Sequence, residues 1–256
     1  MKRLENKTAV ITGAAGGLGK YVSILFAEEG ANLAICDVNE EKLLEVKEIC
    51  ESKGAKVFAK AFDLTNFNKA NTFVDESATK YGNFDILVNL AIAIKTPHSF
   101  MDHDLATLDE SYQTGLVSTW NMMKFSFPYL QNKGGKIINF GSGAGYNGEE
   151  GYAAYAAIKE GIRGLYRVVA REWGKYNINV NILCPGAITD SIKNYLEAMP
   201  ESNLDPKILG FKETVIGRYG DAYEDIAPVV LFLSTEDSRH ITGQTFYVDG
   251  GAIINA

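Results

Sequence analysis

The sequence has few cysteines and histidines and no long apolar run. Its three cysteines, Cys36, Cys50 and Cys184, show neither paired nor metal-type spacing, and an odd count favours a reducing compartment over a disulfide framework. The three histidines lie far apart, with no Cys or carboxylate pattern around them, so no metal site is predicted. The first apolar segment begins at Thr8, too soon for a signal peptide, and no run is long enough to span a bilayer. The expected location is the cytoplasm.

Positive charge is not concentrated anywhere in the chain. The formal net charge is −7 at pH 7, and the Lys and Arg residues are scattered rather than clustered. Neither nucleic acid nor a membrane is therefore an expected partner. A chain of 256 residues with 46% hydrophobic and 22% charged residues can bury a substantial core. One domain over residues 1–256 is the simplest interpretation.

A regular alternation of short apolar runs and amphipathic segments fills most of the chain. Apolar runs predict strands at residues 8–12, 31–36, 56–61, 84–88, 136–140, 179–184 and 245–248. Helical spacing predicts helices at residues 20–29, 40–53, 66–81, 108–130, 152–176 and 222–233. Continuous apolar strands that alternate with longer helices indicate parallel strands buried on both faces. The predicted fold is a single doubly wound α/β domain of the Rossmann type, with a parallel sheet of about seven strands flanked by helices.

Residues 190–212 interrupt this alternation. They mix polar residues and two prolines with isolated large apolar side chains, which are Tyr195, Leu196, Met199, Ile208 and Phe211. We expect this segment to form a lid over a substrate.

A tyrosine and a lysine four residues apart predict an acid/base pair. On a helix, Tyr155 and Lys159 lie on the same face, and a neighbouring cation favours the phenolate and lowers the pKa of the tyrosine. Ser142 follows the strand at 136–140 within a glycine-rich loop and supplies a nearby hydroxyl. The pair alone is weak evidence, because tyrosines and lysines at this spacing are commonly solvated on amphipathic helices.

A glycine-rich loop lies between the first predicted strand and the first predicted helix. Gly13, Gly17 and Gly19 permit a tight turn there and let backbone N–H groups approach a pyrophosphate at a helix N-terminus. Asp37 ends the second strand about twenty residues on, where a carboxylate accepts hydrogen bonds from the adenosine ribose hydroxyls and repels a 2′-phosphate. This pattern favours NAD over NADP. A helix N-cap is the alternative role for Asp37.

With these motifs in order, the sequence resembles the short-chain dehydrogenase/reductase family over essentially its whole length. The motifs are Thr12-Gly13-x-x-x-Gly17-x-Gly19, Asp63-Leu64, Asn89, Ser142, Tyr155-x-x-x-Lys159, Pro185-Gly186 with Thr189, and Gly243-Gln244 before Val248-Asp249-Gly250-Gly251. The resemblance implies that Tyr155 is the proton donor or acceptor, that Ser142 orients the substrate oxygen, and that Lys159 binds the nicotinamide ribose. The implied cofactor-binding residues are Gly13, Gly17, Leu18, Gly19, Asp37, Asp63, Leu64, Asn89, Tyr155, Lys159, Pro185, Gly186, Ile188 and Thr189.

The sequence departs from the family pattern at two places. The family usually has Asn-Asn-Ala-Gly after its fourth strand, whereas this chain has Asn89-Leu90-Ala91-Ile92. The family also commonly has a catalytic Asn that holds a water connected to the Lys. Gly115 aligns with that Asn, or Thr114 does if the alignment slips by one. We therefore expect a locally reshaped cofactor pocket and slowed turnover.

The implied activity is an NAD-dependent interconversion of a secondary alcohol and a ketone, and the implied assembly is a homotetramer with helices 108–130 and 152–176 at one interface. The expected pocket walls are mostly apolar: Ala93, Ile94, Tyr146, Tyr152, Ile188, Tyr195, Leu196, Met199 and Phe211. Five residues are the predicted substrate contacts: Ser142, Tyr146, Tyr152, Tyr195 and Met199. Ordinary core packing is the alternative role for each wall residue.

A bulky apolar alcohol such as a hydroxysteroid is the predicted substrate. Residues 1–7 are also similar to the start of bacterial hydroxysteroid dehydrogenases in this family. Two alternatives stay open, namely a 3-oxoacyl-type reductase and a catalytically weak NAD(H)-binding regulatory protein.

Overall fold

Seven parallel strands form one sheet among the residues that the structure describes. The structure is a computed structural model and describes residues 2–93, 97–189 and 214–254. In chain order the strands are β1 (Thr8–Thr12), β2 (Asn32–Asp37), β3 (Val57–Ala61), β4 (Ile86–Asn89), β5 (Gly135–Phe140), β6 (Ile178–Pro185), β7 (Ala187–Ile188), β8 (Gly220–Asp221) and β9 (Thr245–Val248). The order across the sheet is β3-β2-β1-β4-β5-β6-β9, and β7 pairs with β8 outside it. The predicted doubly wound α/β fold is confirmed.

The strand order reverses between β1 and β4. β1 pairs in parallel with β2 on one side and with β4 on the other, so the chain leaves β1 in one direction and returns to the opposite side of it. At such a switch point, the carboxyl ends of the two strands leave a crevice in which ligands bind. The glycine loop follows β1 and residues 90–93 follow β4, so both segments lie at this crevice.

Helices cover both faces of the sheet. They are α1 (Gly17–Glu28), α2 (Glu40–Ser52), α3 (Phe67–Tyr81), α4 (Leu105–Ser111), α5 (Ser118–Leu130), α6 (Gly143–Asn147), α7 (Ala153–Trp173) and α8 (Ala227–Ser234). One apolar cluster contains Phe26 of α1, Leu43 of α2 and Val230 of α8, and a second contains Phe73 of α3, Met122 of α5 and Ile162 of α7. Burying a side chain of this size stabilises the fold by about 1.5–3 kcal/mol.

The predicted helix over residues 108–130 is wrong in one respect, because two α-helices occupy its place. A wide, π-helical segment, Tyr112–Val117, separates α4 from α5. At its end the hydroxyl of Ser118 donates to the carbonyl of Thr114. This segment is only six residues long, too short to produce a periodicity of its own within the window from which a helix is predicted.

The predicted helix over residues 222–233 also begins with a π-helical segment, Ala222–Ile226, which the side chain of Asp221 caps. Pro228 follows in the first turn of α8. At that position the missing N–H of a proline breaks no hydrogen bond of the helix. The proline therefore favours a new helix start at this point.

The three cysteines are buried free thiols. None of the helices in the described ranges is both long and apolar enough to cross a bilayer.

Candidate active site

A cleft with a volume of about 730 Å³ lies at the switch point of the sheet. Fourteen of the predicted site residues line it: Gly13, Gly17, Leu18, Gly19, Asp37, Asp63, Leu64, Ser142, Tyr152, Tyr155, Lys159, Pro185, Gly186 and Thr189. The structure therefore brings the predicted cofactor residues and the predicted acid/base residues into one space.

The loop after β1 requires glycine at three positions. Gly13 and Gly17 have φ angles of +68° and +51°, which L side chains rarely adopt. A Cβ on Gly19 would lie 2.0 Å from the carbonyl oxygen of Gly13, which is closer than any real contact. The loop can pack against the start of α1 in this way only because residue 19 has no side chain.

The N-terminus of α1 has no capping side chain. Its N-cap residue is Gly16, and its first turn contains no acidic residue. Free N–H groups and the helix dipole at such an end favour an anion. Because Gly16 and Gly17 line the cleft, this end suits the pyrophosphate of a dinucleotide.

Asp37 connects the end of β2 to the glycine loop. Its carboxylate accepts hydrogen bonds of 3.0 Å from the N–H groups of Ala15 and Asn39. The N-cap of α2 is Asn39, whose side chain accepts from the N–H of Lys42, so the alternative N-cap role for Asp37 is wrong. Asp63 follows the neighbouring strand β3, and its carboxylate accepts from the N–H of Thr65 at 2.8 Å.

Asn89 is buried and is not part of the cleft lining. Its side-chain amide donates to Oδ1 of Asn139 at 2.9 Å, which joins β4 to β5 beneath the cleft. The residues after it form the wall instead, and Thr12 Oγ1 fixes that wall by accepting from the N–H groups of Leu90 and Ala91. A side-chain contact of Asn89 with the cofactor therefore has no support in this geometry.

Ser142, Tyr155 and Lys159 meet where β5 ends. The hydroxyl of Ser142 caps α6 by accepting from the N–H of Ala144 at 3.1 Å, and it also hydrogen-bonds the Tyr155 phenol. The Lys159 Nζ donates to the carbonyl of Phe140 at 2.9 Å and lies 5.4 Å from the centre of the Tyr155 ring. The lysine is only 4% exposed, so its ammonium is held within the wall of the cleft.

Burial is the largest cause of the pKa shifts of both Tyr155 and Lys159. It raises the pKa of Tyr155 to about 12, although the hydrogen bond with Ser142 lowers it. It lowers the pKa of Lys159 to about 8, because the ammonium loses water. In the protein without a bound cofactor, the pKa of Tyr155 therefore lies above its ordinary value and not below it, as the Tyr-Lys spacing predicts. At neutral pH the phenol is protonated and can donate a proton.

The segment after β6 closes the cleft against the C-terminal turn. A Cβ on Gly186 would lie 2.7 Å from Cβ of Asp249, so glycine permits this close packing. The carboxylate of Asp249 accepts from the N–H groups of Gly251 and Ile253 at 3.0 Å. Asp249 and Ile253 both line the cleft. The Val-Asp-Gly-Gly motif marked this turn in the sequence, but sequence reasoning gave Asp249 no role.

Only part of the predicted substrate set lines the cleft. Ser142 and Tyr152 do so, and the ring of Tyr152 lies 6.0 Å from that of Tyr155. The ring of Tyr146 packs instead against the guanidinium of Arg163 and the ring of Tyr247. Ile188 is also absent from the lining. Some predictions lie outside the described residues, and these are the lid at 190–212, Tyr195 and Met199, and the wall residues Ile94, Leu196 and Phe211.

Sequence reasoning missed several polar residues of the cleft wall. They are Asn39, Lys42, Asn147, Glu149, Cys184, Thr214, Tyr219 and Asp249. Most follow the ends of strands or lie in short loops, and strand ends are the only signal in the sequence that could have found them. Within the described residues, no group of three or more His, Cys, Asp or Glu side chains could hold a metal ion.

A glycine loop at an uncapped helix, a carboxylate at the end of β2 and a buried Ser-Tyr-Lys set are together typical of a dinucleotide-binding oxidoreductase. A family model described as enoyl-(acyl carrier protein) reductase matches residues 13–252. The chain belongs to the short-chain dehydrogenase/reductase family, which confirms the resemblance in the sequence. It is an alcohol and ketone oxidoreductase of that family.

Three known proteins show how similar the relatives are. A 12α-hydroxysteroid dehydrogenase from Clostridium sp. is 39% identical over 256 residues, with 96% of each chain covered. A 3-oxoacyl-(acyl-carrier-protein) reductase from Thermotoga maritima is 32% identical, with 98% of this chain and 100% of that one covered. The solved structure of a 7α-hydroxysteroid dehydrogenase complexed with NADH and 7-oxo glycochenodeoxycholic acid matches with a TM-score of 0.88 at 32% identity, covering 99% of this chain and 96% of that one.

Proposed function

We propose that this protein interconverts a secondary alcohol and a ketone with NAD(H), and that the substrate is a bulky apolar molecule such as a hydroxysteroid. The observation that carries the proposal is the meeting of Ser142, Tyr155 and Lys159 in the same cleft as the glycine loop. A protein that only sensed NAD(H) would need the loop but not the buried acid/base set.

Tyr155 is the proposed proton-transfer group. In ketone reduction its phenol donates a proton to the carbonyl oxygen, and in alcohol oxidation its phenolate takes the hydroxyl proton. Ser142, which hydrogen-bonds Tyr155, holds the same substrate oxygen. Lys159 is held by the Phe140 carbonyl and supports the phenolate when it forms. The nicotinamide, when bound, supplies or accepts the hydride.

Asp37 supports the choice of NAD over NADP. Its carboxylate lines the cleft at the end of β2, where a ribose hydroxyl would donate to it and a 2′-phosphate would be repelled. Gly13, Gly17, Leu18 and Gly19 form the proposed pyrophosphate site. The remaining proposed contacts with the cofactor come from Asp63, Leu64, Lys159, Pro185, Gly186 and Thr189.

A hydroxysteroid is supported by the relatives and by the wall of the cleft. Two of the three relatives described above are hydroxysteroid dehydrogenases, one of them seen with a 7-oxo bile acid. Leu90, Ile92 and Ile253 give the cleft apolar walls that suit a fused-ring skeleton. A 3-oxoacyl thioester is the second candidate substrate, because the Thermotoga maritima reductase is nearly as similar.

The test is NADH consumption and NAD reduction with a panel of hydroxysteroids, their keto forms, short-chain alcohols and 3-oxoacyl thioesters. The Tyr155→Phe variant is the matched control, and NADH binding is measured by fluorescence for both proteins. We expect turnover on a keto steroid, with a loss of at least about 100-fold in the variant and unchanged NADH binding.

Other outcomes of this panel distinguish the alternatives. Turnover confined to 3-oxoacyl thioesters would replace the steroid assignment but keep the enzyme class. Tight NADH binding without turnover on any substrate would favour the regulatory alternative.

A homotetramer is part of the proposal. Five large apolar side chains are exposed along α4, the π-helical segment, α5 and α7: Leu105, Leu108, Tyr112, Trp120 and Val168, of which Val168 is 53% exposed. Exposed apolar groups of this size commonly mark an interface. We expect light scattering to give a tetramer, and Trp120→Glu to give smaller species. Ile49→Glu, on the opposite face of the sheet, is the control that leaves the assembly intact.

A further inference from the structure

Two segments of the chain that line the cleft are joined to each other by hydrogen bonds. The first segment follows β4, and the second runs from the end of α6 to the start of α7. Together they supply six residues of the cleft lining: Ala91, Ile92, Ala93, Asn147, Glu149 and Tyr152. Because Tyr152 is a proposed substrate contact, the distance between these two segments affects the space for a substrate.

The carbonyl oxygen of Gly151 is the point at which the segments meet. It accepts hydrogen bonds from the backbone N–H of His98 and from the ring Nε2 of His103, both at 3.1 Å. The two histidines continue the segment that follows β4, and Gly151 directly precedes Tyr152. We call His98, His103 and Gly151 the histidine bridge.

The hydrogen bond to Gly151 fixes the state of the His103 ring. A carbonyl oxygen only accepts, so Nε2 of His103 carries the hydrogen. The other ring nitrogen, Nδ1, is buried without a hydrogen-bond partner among the described residues. The ring of His98 packs edge-on against that of His103, with the ring centres 6.1 Å apart. Within the described ranges, the Gly151 carbonyl is thus the group that orients the imidazole through a hydrogen bond.

The backbone of the second segment passes directly against the first. Gly151 has a φ angle of +84°, and a Cβ at this position would lie 2.8 Å from Cβ of Pro97. Glycine is therefore required here, and glycine leaves a loop flexible unless other contacts hold it. The next residue, Tyr152, is the N-cap of α7, and its N–H donates to the carbonyl of Glu149. A shift of the Gly151 carbonyl would move both of these residues of the cleft lining.

We propose that His103 is a positioning residue that holds the Gly151 carbonyl, sets the distance between the two segments and thereby selects large ketones over small ones. A large substrate contacts Tyr152 as well as the catalytic groups, so it loses contacts when the loop moves. A small ketone that reaches only Ser142 and Tyr155 does not. The selection of substrates rests on the proposed function, whereas the bridge itself does not.

Amide hydrogen exchange tests the bridge without any substrate. His103→Phe keeps a ring but removes the Nε2 donor, whereas His103→Gln has a side-chain N–H the same number of bonds from Cα. The N–H groups of Glu149 and Tyr152 donate within the loop, so their exchange reports on its opening. We expect exchange in peptides over residues 147–152 to be roughly 3–10-fold faster in His103→Phe and within about twofold of the unmodified protein in His103→Gln. Unchanged exchange in His103→Phe, or equal acceleration in both variants, would overturn the bridge.

Steady-state kinetics test the selection of substrates. The unmodified protein and both variants are assayed with a keto steroid and with cyclohexanone, and NADH affinity is measured by fluorescence titration. In His103→Phe we expect the KM for the keto steroid to rise roughly 3–10-fold, with kcat, the KM for cyclohexanone and NADH affinity all within about twofold. His103→Gln should restore the KM for the keto steroid.

Two results would contradict the selection. An equal rise in KM for both ketones would show that His103 does not distinguish substrates by size. Turnover of neither ketone by the unmodified protein would contradict the proposed function and with it the selection, while the exchange measurement would still decide the bridge.

Discussion

Backbone atoms form one end of the cleft, and side chains form the other. At the end formed by β1 and β2, backbone atoms make the site: glycines with positive φ, an uncapped helix and a carboxylate that accepts from backbone N–H groups. At the other end, side chains of α7 and of the C-terminal turn make the walls. A site made of backbone atoms tolerates few substitutions, and a few residue types in the sequence are enough to predict it. A site made of side chains can change its ligand while the fold stays the same.

The largest effect is expected from adding a single methyl group at the backbone end. Gly19→Ala would push the loop off α1, because the new Cβ would lie 2.0 Å from the Gly13 carbonyl oxygen. We expect NADH affinity, measured by fluorescence titration, to fall by more than about 100-fold. Gly164→Ala is the matched control, since Gly164 lies on α7 outside the cleft lining and has no atom within 4 Å of its Cβ. A comparable loss in the control would show that the loss of affinity is not specific to the loop.

Removing the charge of Asp37 tests whether the end of the cleft formed by β1 and β2 also selects NADH over NADPH. The amide of Asp37→Asn keeps an oxygen for the Ala15 N–H but no longer repels a 2′-phosphate. We expect the ratio of kcat/KM for NADH over NADPH to fall by roughly 10–50-fold. Asp63→Asn, at the end of the neighbouring strand, should leave the ratio within about threefold. An unchanged ratio in Asp37→Asn would place cofactor selection elsewhere.

The dependence of turnover on pH probes the side-chain end. The pKa of Tyr155 is raised to about 12. Below that pH, the fraction of Tyr155 that is present as the phenolate needed for oxidation increases by up to about tenfold for each unit by which the pH rises. The pKa of Lys159 is lowered to about 8, so its support for the phenolate is lost above pH 8. We expect kcat/KM for oxidation to rise steeply from pH 6 to 8 and less steeply above, and reduction to vary little over this range. A flat oxidation profile would contradict Tyr155 as the base.

The smallest effect is expected at Tyr146. Its ring packs against Arg163 and Tyr247 outside the cleft lining, so Tyr146→Leu should change the KM for the substrate by less than about twofold. Tyr152 lines the cleft, and Tyr152→Leu should raise the KM about fivefold or more. If both variants raised the KM equally, the substrate site would include Tyr146 as well as the residues that line the cleft.

The fold and the backbone end of the site were predictable because each depends on local rules. Continuous apolar runs fixed the seven strands of the sheet, and β1 and β9 have the predicted bounds. The glycine loop was predictable because positive φ and close backbone approach allow few other residues. The N-cap Asn39 resolved the one ambiguity at this end, the role of Asp37.

The rest depends on packing that a sequence pattern does not encode. The π-helical segment at Tyr112–Val117 changes the backbone hydrogen bonds over only six residues, which is too short for the apolar periodicity to reveal. The direction of Tyr146 is set by α6, a five-residue helix without a sequence signal. The raised pKa of Tyr155 follows from burial, which spacing along a helix cannot show.

The close packing of Gly186 against Asp249 has a consequence for the time at which the site becomes complete during synthesis. The glycine loop, Asp37 and the end of β4 all lie in the first part of the chain, which leaves the ribosome early. The turn that Asp249 organises joins the cleft only after β9 has paired with β6. The cleft can therefore be complete only once β9 has been synthesised and paired.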